Sequence, residues 1–182
     1  MHPSLETILE LELNLDQLRQ AGDWQTALPR IDTHLQEAFG ENGNPPDHLA
    51  DLCLVGMLAV QKAQLLQELT GVILINGETG ELTPAMASER QQEFVGQSLN
   101  WFQIGLAACQ RGIARLPEEP GSPWHRFLHH QLTEIRRGFL AISAGESASQ
   151  LKNHLSLIRH LFSLLWMGSD LSLIHISQGI VR

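Results

Sequence analysis

Residues 83–116 read TPAMASERQQEFVGQSLNWFQIGLAACQRGIARL, and within them Val95, Leu99, Phe102, Leu106, Cys109, Ile113 and Leu116 recur at spacings of four and three. That period matches one face of an α-helix and excludes the alternation of a half-buried strand. Thr83-Pro84 supplies an N-cap followed by a proline in the first helical position, where its missing N–H costs nothing. Beside the apolar row lie Ser98, Gly105, Ala108 and Gly112. Each glycine lowers helix propensity by about 1 kcal/mol relative to alanine, so the pattern points to a second helix backbone approaching closely along this side. A helix of this kind does not stand alone: ordering each residue costs about 1–2 kcal/mol, which only burial of the row against partner helices offsets.

Outward from this segment the same period continues. Leu5, Ile8, Leu11, Leu15 and Leu18 form a stripe between a capping Ser4 and Gly22, and helix is preferred to the strand-like alternation of Leu9, Leu11, Leu13 and Leu15. Trp24, Leu28, Ile31, Leu35 and Phe39 form a second stripe. Pro29 interrupts it, and a helix starting near Thr26 accommodates that proline in its first turn. A loop GENGNPPD precedes a long helix from the cap Asp47 to the stop Gly71, whose first half is apolar on most sides. VILINGETGELT then reads as a hairpin-like loop near residues 72–83. Ser122-Pro123 starts another helix with Trp124, Leu128, Ile135, Phe139 and Ile142 inward. Ser147 and Gln150 make a capping box for a last one through Leu151, Leu155, Ile158, Phe162 and Leu165 to Gly168. The expected fold is all-α: an up-and-down helical bundle of about six helices in a single domain over residues 1–170. In it a helical hairpin, 1–40, packs on a four-helix bundle, 47–168.

Composition agrees. Of 182 residues, 43% are hydrophobic and 5% aromatic, with no tyrosine, which suits packed helices better than a sandwich of strands. The net charge of −8 argues against a nucleic-acid partner, since affinity for phosphate backbones comes from clustered cations. Charge is uneven: residues 1–50 carry two arginines against nine acids, whereas residues 111–159 carry seven cations against four acids. Cys53 and Cys109 both fall in apolar helical stretches, and read as two buried reduced thiols in a reducing compartment. The amino terminus lacks a signal-peptide pattern, and the longest apolar run, LCLVGMLAV at 52–60, is shorter than the ~20 residues of a spanning helix. The expectation is a cytoplasmic, soluble protein with no membrane partner.

Two resemblances follow from short stretches. QAGDWQTAL, residues 20–28, resembles the inter-helix turn of a tetratricopeptide unit at Gly22, Asp23, Trp24 and Ala27, and is similar to the opening hairpin of flagellar export chaperones. Leu15 and His34 depart from the repeat pattern and no second copy follows. The resemblance implies helical partner binding and carries no function-bearing residue. LSLIHIS, residues 171–177, resembles a translated transposon mosaic end, so residues 171–182 are taken as a non-native tail, and the native gene is open to continuing past Asp170.

The functional expectation is an α-helical protein-interaction module, whether adaptor, chaperone-like factor or self-associating subunit. It would bury a partner helix against apolar surface, with Trp24, Trp101 and Phe102 as anchors. The alternative is a metal- or anion-binding helical enzyme or sensor. His125 and His129 stand four apart on a helix with Glu134 near, offering metal ligands, and Arg126, Arg136, Arg137 and Arg159 offer an anion patch. His34 and His48 read as surface residues. Neither a nucleophile–base arrangement nor a cofactor motif is present, so the sequence leans away from catalysis and calls for no cofactor.

Overall fold

A computed structural model describes residues 2–40, 45–78, 83–116 and 121–145. Among these the chain is all-helical, with five helices and no strand: α1 (Leu5–Gln20), α2 (Trp24–Phe39), α3 (Leu49–Glu78), α4 (Pro84–Ile113) and α5 (Pro123–Gly145). Met1–Ile142 form one compact unit, and the second, Ser143–Arg182, is described only over the last residues of α5. The helix expected from Ser147 to Gly168 and the tail 171–182 lie outside the described residues.

Most helix starts follow their side chains. Ser4 Oγ accepts the Thr7 N–H at 3.1 Å. Thr83 Oγ1 accepts Met86 N–H at 3.3 Å, and Ser122 Oγ accepts His125 N–H at 3.2 Å. These bonds satisfy donors that a helix leaves unpaired at its start. Between α1 and α2 the chain reverses at Gly22, whose φ of +71° suits a residue without Cβ.

Three expectations are corrected. Asp23 caps α2 by accepting Thr26 N–H at 3.2 Å, so the helix begins at Trp24 and Pro29 lies beyond its first turn. The proline removes one backbone donor there, while Thr33 Oγ1 donates to the Pro29 carbonyl at 2.9 Å. At α3 the capping group is His48: Ala50 N–H donates to its Nδ1 at 3.3 Å, and Asp47 is drawn instead to Arg111 of α4 and to Arg115 just after it. Third, the segment expected as a hairpin-like loop near residues 72–83 is helical as far as Glu78. β-Branched residues cost a helix only tenths of a kcal/mol each, and extending an established helix is far cheaper than nucleating one, so they do not end it.

Helix α3 runs through the core: Leu52, Cys53, Val55, Met57, Leu58, Ala59 and Val60 are all buried, and in this half only Leu49, Asp51 and Leu54 are part-exposed. Its segment Leu49–Gly71 is long and apolar enough, at mean hydropathy 1.5, to cross a membrane, and 72% of that window is buried by the rest of the protein. The uninterrupted run at 52–60 understated this length, because scattered polar residues such as Gln61 and Lys62 barely lower the average.

Against α3 lies α4, its most extensive helix contact. Val95, Leu99, Phe102, Leu106 and Cys109 are buried as the spacing predicts, with Ile113 and Leu116 half-buried. The small residues do what their pattern implies. A Cβ on Gly105 would stand 3.4 Å from both the Gly56 carbonyl oxygen and the Ala59 Cβ, and one on Gly56 would stand 3.0 Å from Cys109 Sγ. Ser98 Oγ, fully buried, donates to the Ala63 carbonyl across the interface at 2.8 Å. Helix α5 meets both α4 and α3 at Gly138, where the Phe102 ring abuts the backbone and the glycine carbonyl accepts from Gln67 Nε2 of α3 at 2.9 Å.

Candidate functional site

The start of α1, the end of α2 and the first turn of α3 converge around a groove of about 570 Å³ lined by His2, Thr7, Leu11, His34, Glu37 and Asp51 among others. At its edge His2, His48 and Asp51 each present a ligand atom, all within 4.8 Å of one another. The His2 Nδ1 and Asp51 Oδ2 atoms are 2.7 Å apart, and the His2 and His48 rings stack in near-parallel planes with centroids 3.7 Å apart. Capping holds His48 at the helix start, while Asp51 sits half-buried in the first turn, where a carboxylate is favoured by the helix dipole. Across the groove His34 Nδ1 and Glu37 Oε2 pair at 3.2 Å on α2. Chemically the cluster offers two imidazoles and a carboxylate, the donor set of open transition-metal sites.

The α5 candidates come together only in part. The His125 and His129 rings meet at 4.3 Å between centroids, and burial, then His125 and Arg136, depress the His129 imidazole below its ordinary value. Glu134 is engaged elsewhere: it accepts from Arg137 at 2.7 Å and from Gln64 Nε2 at 3.1 Å. Arg126, Arg136 and Arg137 are exposed, and Arg159 lies outside the described residues.

Of the aromatic residues, Phe102 is fully enclosed, so the anchor role expected of it gives way to a core role. Trp24 and Trp101 are half-buried. The Lys62 ammonium stands 4.2 Å from the Trp101 ring centroid, a cation–π contact, and donates to Asp32 Oδ1 at 2.5 Å. This pair flanks a groove of about 550 Å³ formed with Leu35, Gln36 and Phe39.

A more open apolar surface lies on α1. This helix buries Ile8 and Leu15 yet leaves Leu9 47% and Leu13 60% exposed, and with half-buried Leu5 these leucines fall at four-residue spacing. Glu6 and Glu10 flank them. Behind this face a polar network fixes how α1 is rotated. Arg19 donates to Gln61 Oε1 at 3.0 Å and to Gln64, and pairs with Asp16 and Glu68; Gln61 Nε2 donates to Asp16 Oδ1 at 3.0 Å. Gln131 Nε2 of α5 donates to Glu12 Oε1 at 2.7 Å, and burial pushes the Glu12 carboxyl above its ordinary value. Burial likewise raises Glu68, against the lowering influence of Arg19 and the Trp24 indole.

Neither protein-family models, curated proteins nor solved structures give a match to this chain. The sites that sequence reasoning missed are the His2–His48–Asp51 cluster and the outer leucines of α1. No local signal marks the first, because its members are up to 49 positions apart and only the fold joins them. The second was visible: the alternating leucines of residues 9–15 supply more apolar side chains than one helix face can bury, and the surplus is outside.

Proposed function

We propose that this chain is an α-helical protein-interaction module that receives a partner helix along the outer face of α1. The reading assumes a soluble, cytoplasmic setting and a bundle-type arrangement completed by a sixth helix. Burial of most of the apolar Leu49–Gly71 window within the protein supports the first assumption. One observation carries the reading: Leu9 and Leu13 stand out from α1 with Leu5, while the opposite side of the same helix is already packed. Leucines four apart match the ridge that an approaching helix needs, and Glu6 and Glu10 beside them favour a partner with lysines or arginines next to its apolar stripe.

The magnitudes limit what this face does alone. Covering the exposed parts of Leu9 and Leu13 is worth roughly the burial of one whole leucine, about 1.5–3 kcal/mol, whereas association costs at least ~4 kcal/mol in lost freedom. The partner therefore also draws on the acidic flank and on neighbouring surface. Trp24 and the Trp101 groove, with its Lys62–Asp32 pair, remain the further anchors in this proposal.

The test is selection of a displayed library of amphipathic helices against the whole chain, with counter-selection against Leu9→Asp/Leu13→Asp. The expected winners carry apolar residues at four-residue spacing with basic flanks, and lose binding to the double variant. Winners that bind both proteins equally, or none at all, would remove the proposal. Sedimentation velocity on the chain alone distinguishes a second copy as the partner.

A further inference from the structure

We propose that His2, His48 and Asp51 form a binding site for a divalent late first-row transition metal, Zn²⁺ foremost, which clasps the segment ahead of α1 to the first turn of α3. Donor chemistry is the first support. Two imidazoles and a carboxylate are the set that Zn²⁺ and its neighbours accept when a coordination position is left open, whereas Ca²⁺ and Mg²⁺ select all-oxygen shells. The second is geometry. Three ligand atoms within 4.8 Å of one another surround an ion at ~2.1 Å when their separations become roughly 3.4 Å: the His2–Asp51 pair opens from 2.7 Å and wider separations close, side-chain adjustments of little more than an ångström at most. Two of the three are exposed rings with room to make it: the His2 side chain is 54% exposed, and His48 is also exposed.

The third support is preorganisation. His2 and Asp51 already face each other at 2.7 Å, and stacking keeps the His48 ring 3.7 Å from that of His2, from where a tilt of the two exposed rings brings their in-plane lone pairs onto one point. On binding, a proton carried by His2 Nδ1 moves to its outer nitrogen, Nε2, and the ion takes the place between Nδ1 and the carboxylate; His48 gives its single lone pair to the ion and leaves to water the Ala50 N–H that its Nδ1 otherwise accepts. No oxidant or further reactant is needed. The remaining coordination position is available to water or to a small anionic ligand from the adjoining groove of about 570 Å³. His34 and Glu37 across that groove are committed to each other, which separates them from the cluster.

The experiment is titration of the metal-stripped full chain with Co²⁺ and with Zn²⁺ alone, followed by calorimetry and by the visible ligand-field bands of Co²⁺. The expected result is one ion per chain, Co²⁺ bands displaced by Zn²⁺, and a rise in melting temperature with the ion. His2→Ala and Asp51→Asn each weaken binding more than about tenfold, the lower bound for disturbing such a shell. The His2 side chain bonds Asp51 and caps no helix, so its variant stays folded even if His48→Ala, which also removes a helix cap, does not. His125→Ala/His129→Ala leaves the binding intact. Absence of saturable binding, survival of full affinity in His2→Ala, or loss of binding in His125→Ala/His129→Ala would each overturn the assignment.

Discussion

Gly138→Ala places a methyl group where the structure has no room for one. An ideal Cβ at this position lies 2.1 Å from Phe102 Cζ, 2.8 Å from Cε2 and 3.0 Å from Cε1. Carbon atoms rest about 3.5–4.0 Å apart, so the ring has to retreat by more than an ångström. It has nowhere to go, because Phe102 is fully enclosed. Overpacking of this kind costs about 1–3 kcal/mol, while alanine in place of glycine inside a helix returns about 1 kcal/mol, so the net is a loss of up to about 2 kcal/mol. Gly71→Ala isolates the second term: that residue is also helical and exposed, and its Cβ meets nothing within 4 Å, so it stabilises by up to about 1 kcal/mol. Urea unfolding followed by circular dichroism measures both. Shortening the ring in Phe102→Leu relieves the clash, so the double variant Gly138→Ala/Phe102→Leu is more stable than the sum of the single changes implies. If Gly138→Ala stabilises as much as Gly71→Ala does, or if the two changes at 138 and 102 simply add, the packing of α5 on α4 described above is wrong.

At Glu12 burial raises the carboxyl pKa, so the folded protein holds this proton more tightly than the unfolded chain. The cost is absent below the ordinary value of 4.5, grows as pH rises from there to the raised folded value and is constant above it, so the advantage of Glu12→Gln over the native chain appears as pH rises above 4.5 and then levels off. The replacement amide also faces Gln131, whose buried Oε1 has no partner among the described residues, and a difference in unfolding free energy that stays flat with pH would count against this account. Gly105→Ala is tolerated, since its Cβ meets neighbours at ordinary contact distances of 3.4–3.5 Å, but Gly105→Leu forces α3 and α4 apart and costs more than about 2 kcal/mol in the same assay. The Cys53 thiol is pushed up to about 12 and Cys109 higher still, both by burial, so neither reacts with a thiol reagent at neutral pH until the protein is unfolded. Rapid labelling of the native chain would refute that placement.

What the sequence made legible is what short-range chemistry controls. The caps at Ser4, Thr83 and Ser122, the turn at Gly22, and the row from Val95 to Cys109 each depend on residues within a few positions of one another, and each is found as read. The small residues of α4 were legible for a related reason: Gly105 and Gly112 on one side of a helix are a cost that only close packing explains. The misreadings share an opposite cause. Residues 72–78 look extended by composition, but α3 reaches them already formed, so the preference of a few residues is outweighed by propagation. Asp47 is a better cap than His48 by propensity, yet Arg111 and Arg115, far along the chain, claim its carboxylate. Pro29 was given the only place a lone helix tolerates it cheaply, whereas buried Ala27, Ile31 and Leu35 on the same helix offset a missing hydrogen bond.

The same contrast explains why both proposed sites lie around α1. Where Gly56 and Gly105 meet, α3 and α4 pack too closely and too far inside to face a ligand, so surface chemistry belongs to their margins and to the helices around them. α1 is joined to that core differently, with Ile8 and Leu15 fully buried, Leu11 and Leu18 half-buried, and Glu12, Asp16 and Arg19 bonded to amides of α3 and α5 and, for Arg19, to Glu68. Directional bonds of this sort hold a helix at one rotation more strictly than apolar contact does, since turning it would strand buried polar groups. The rotation they impose is the one that leaves Leu9 and Leu13 in solvent, which an apolar interface alone would have tended to draw inward. Arg19 anchors the carboxyl end of α1, and His2 with Asp51 lies just ahead of its amino end, so an ion there would fasten the second end of the helix that presents the leucines.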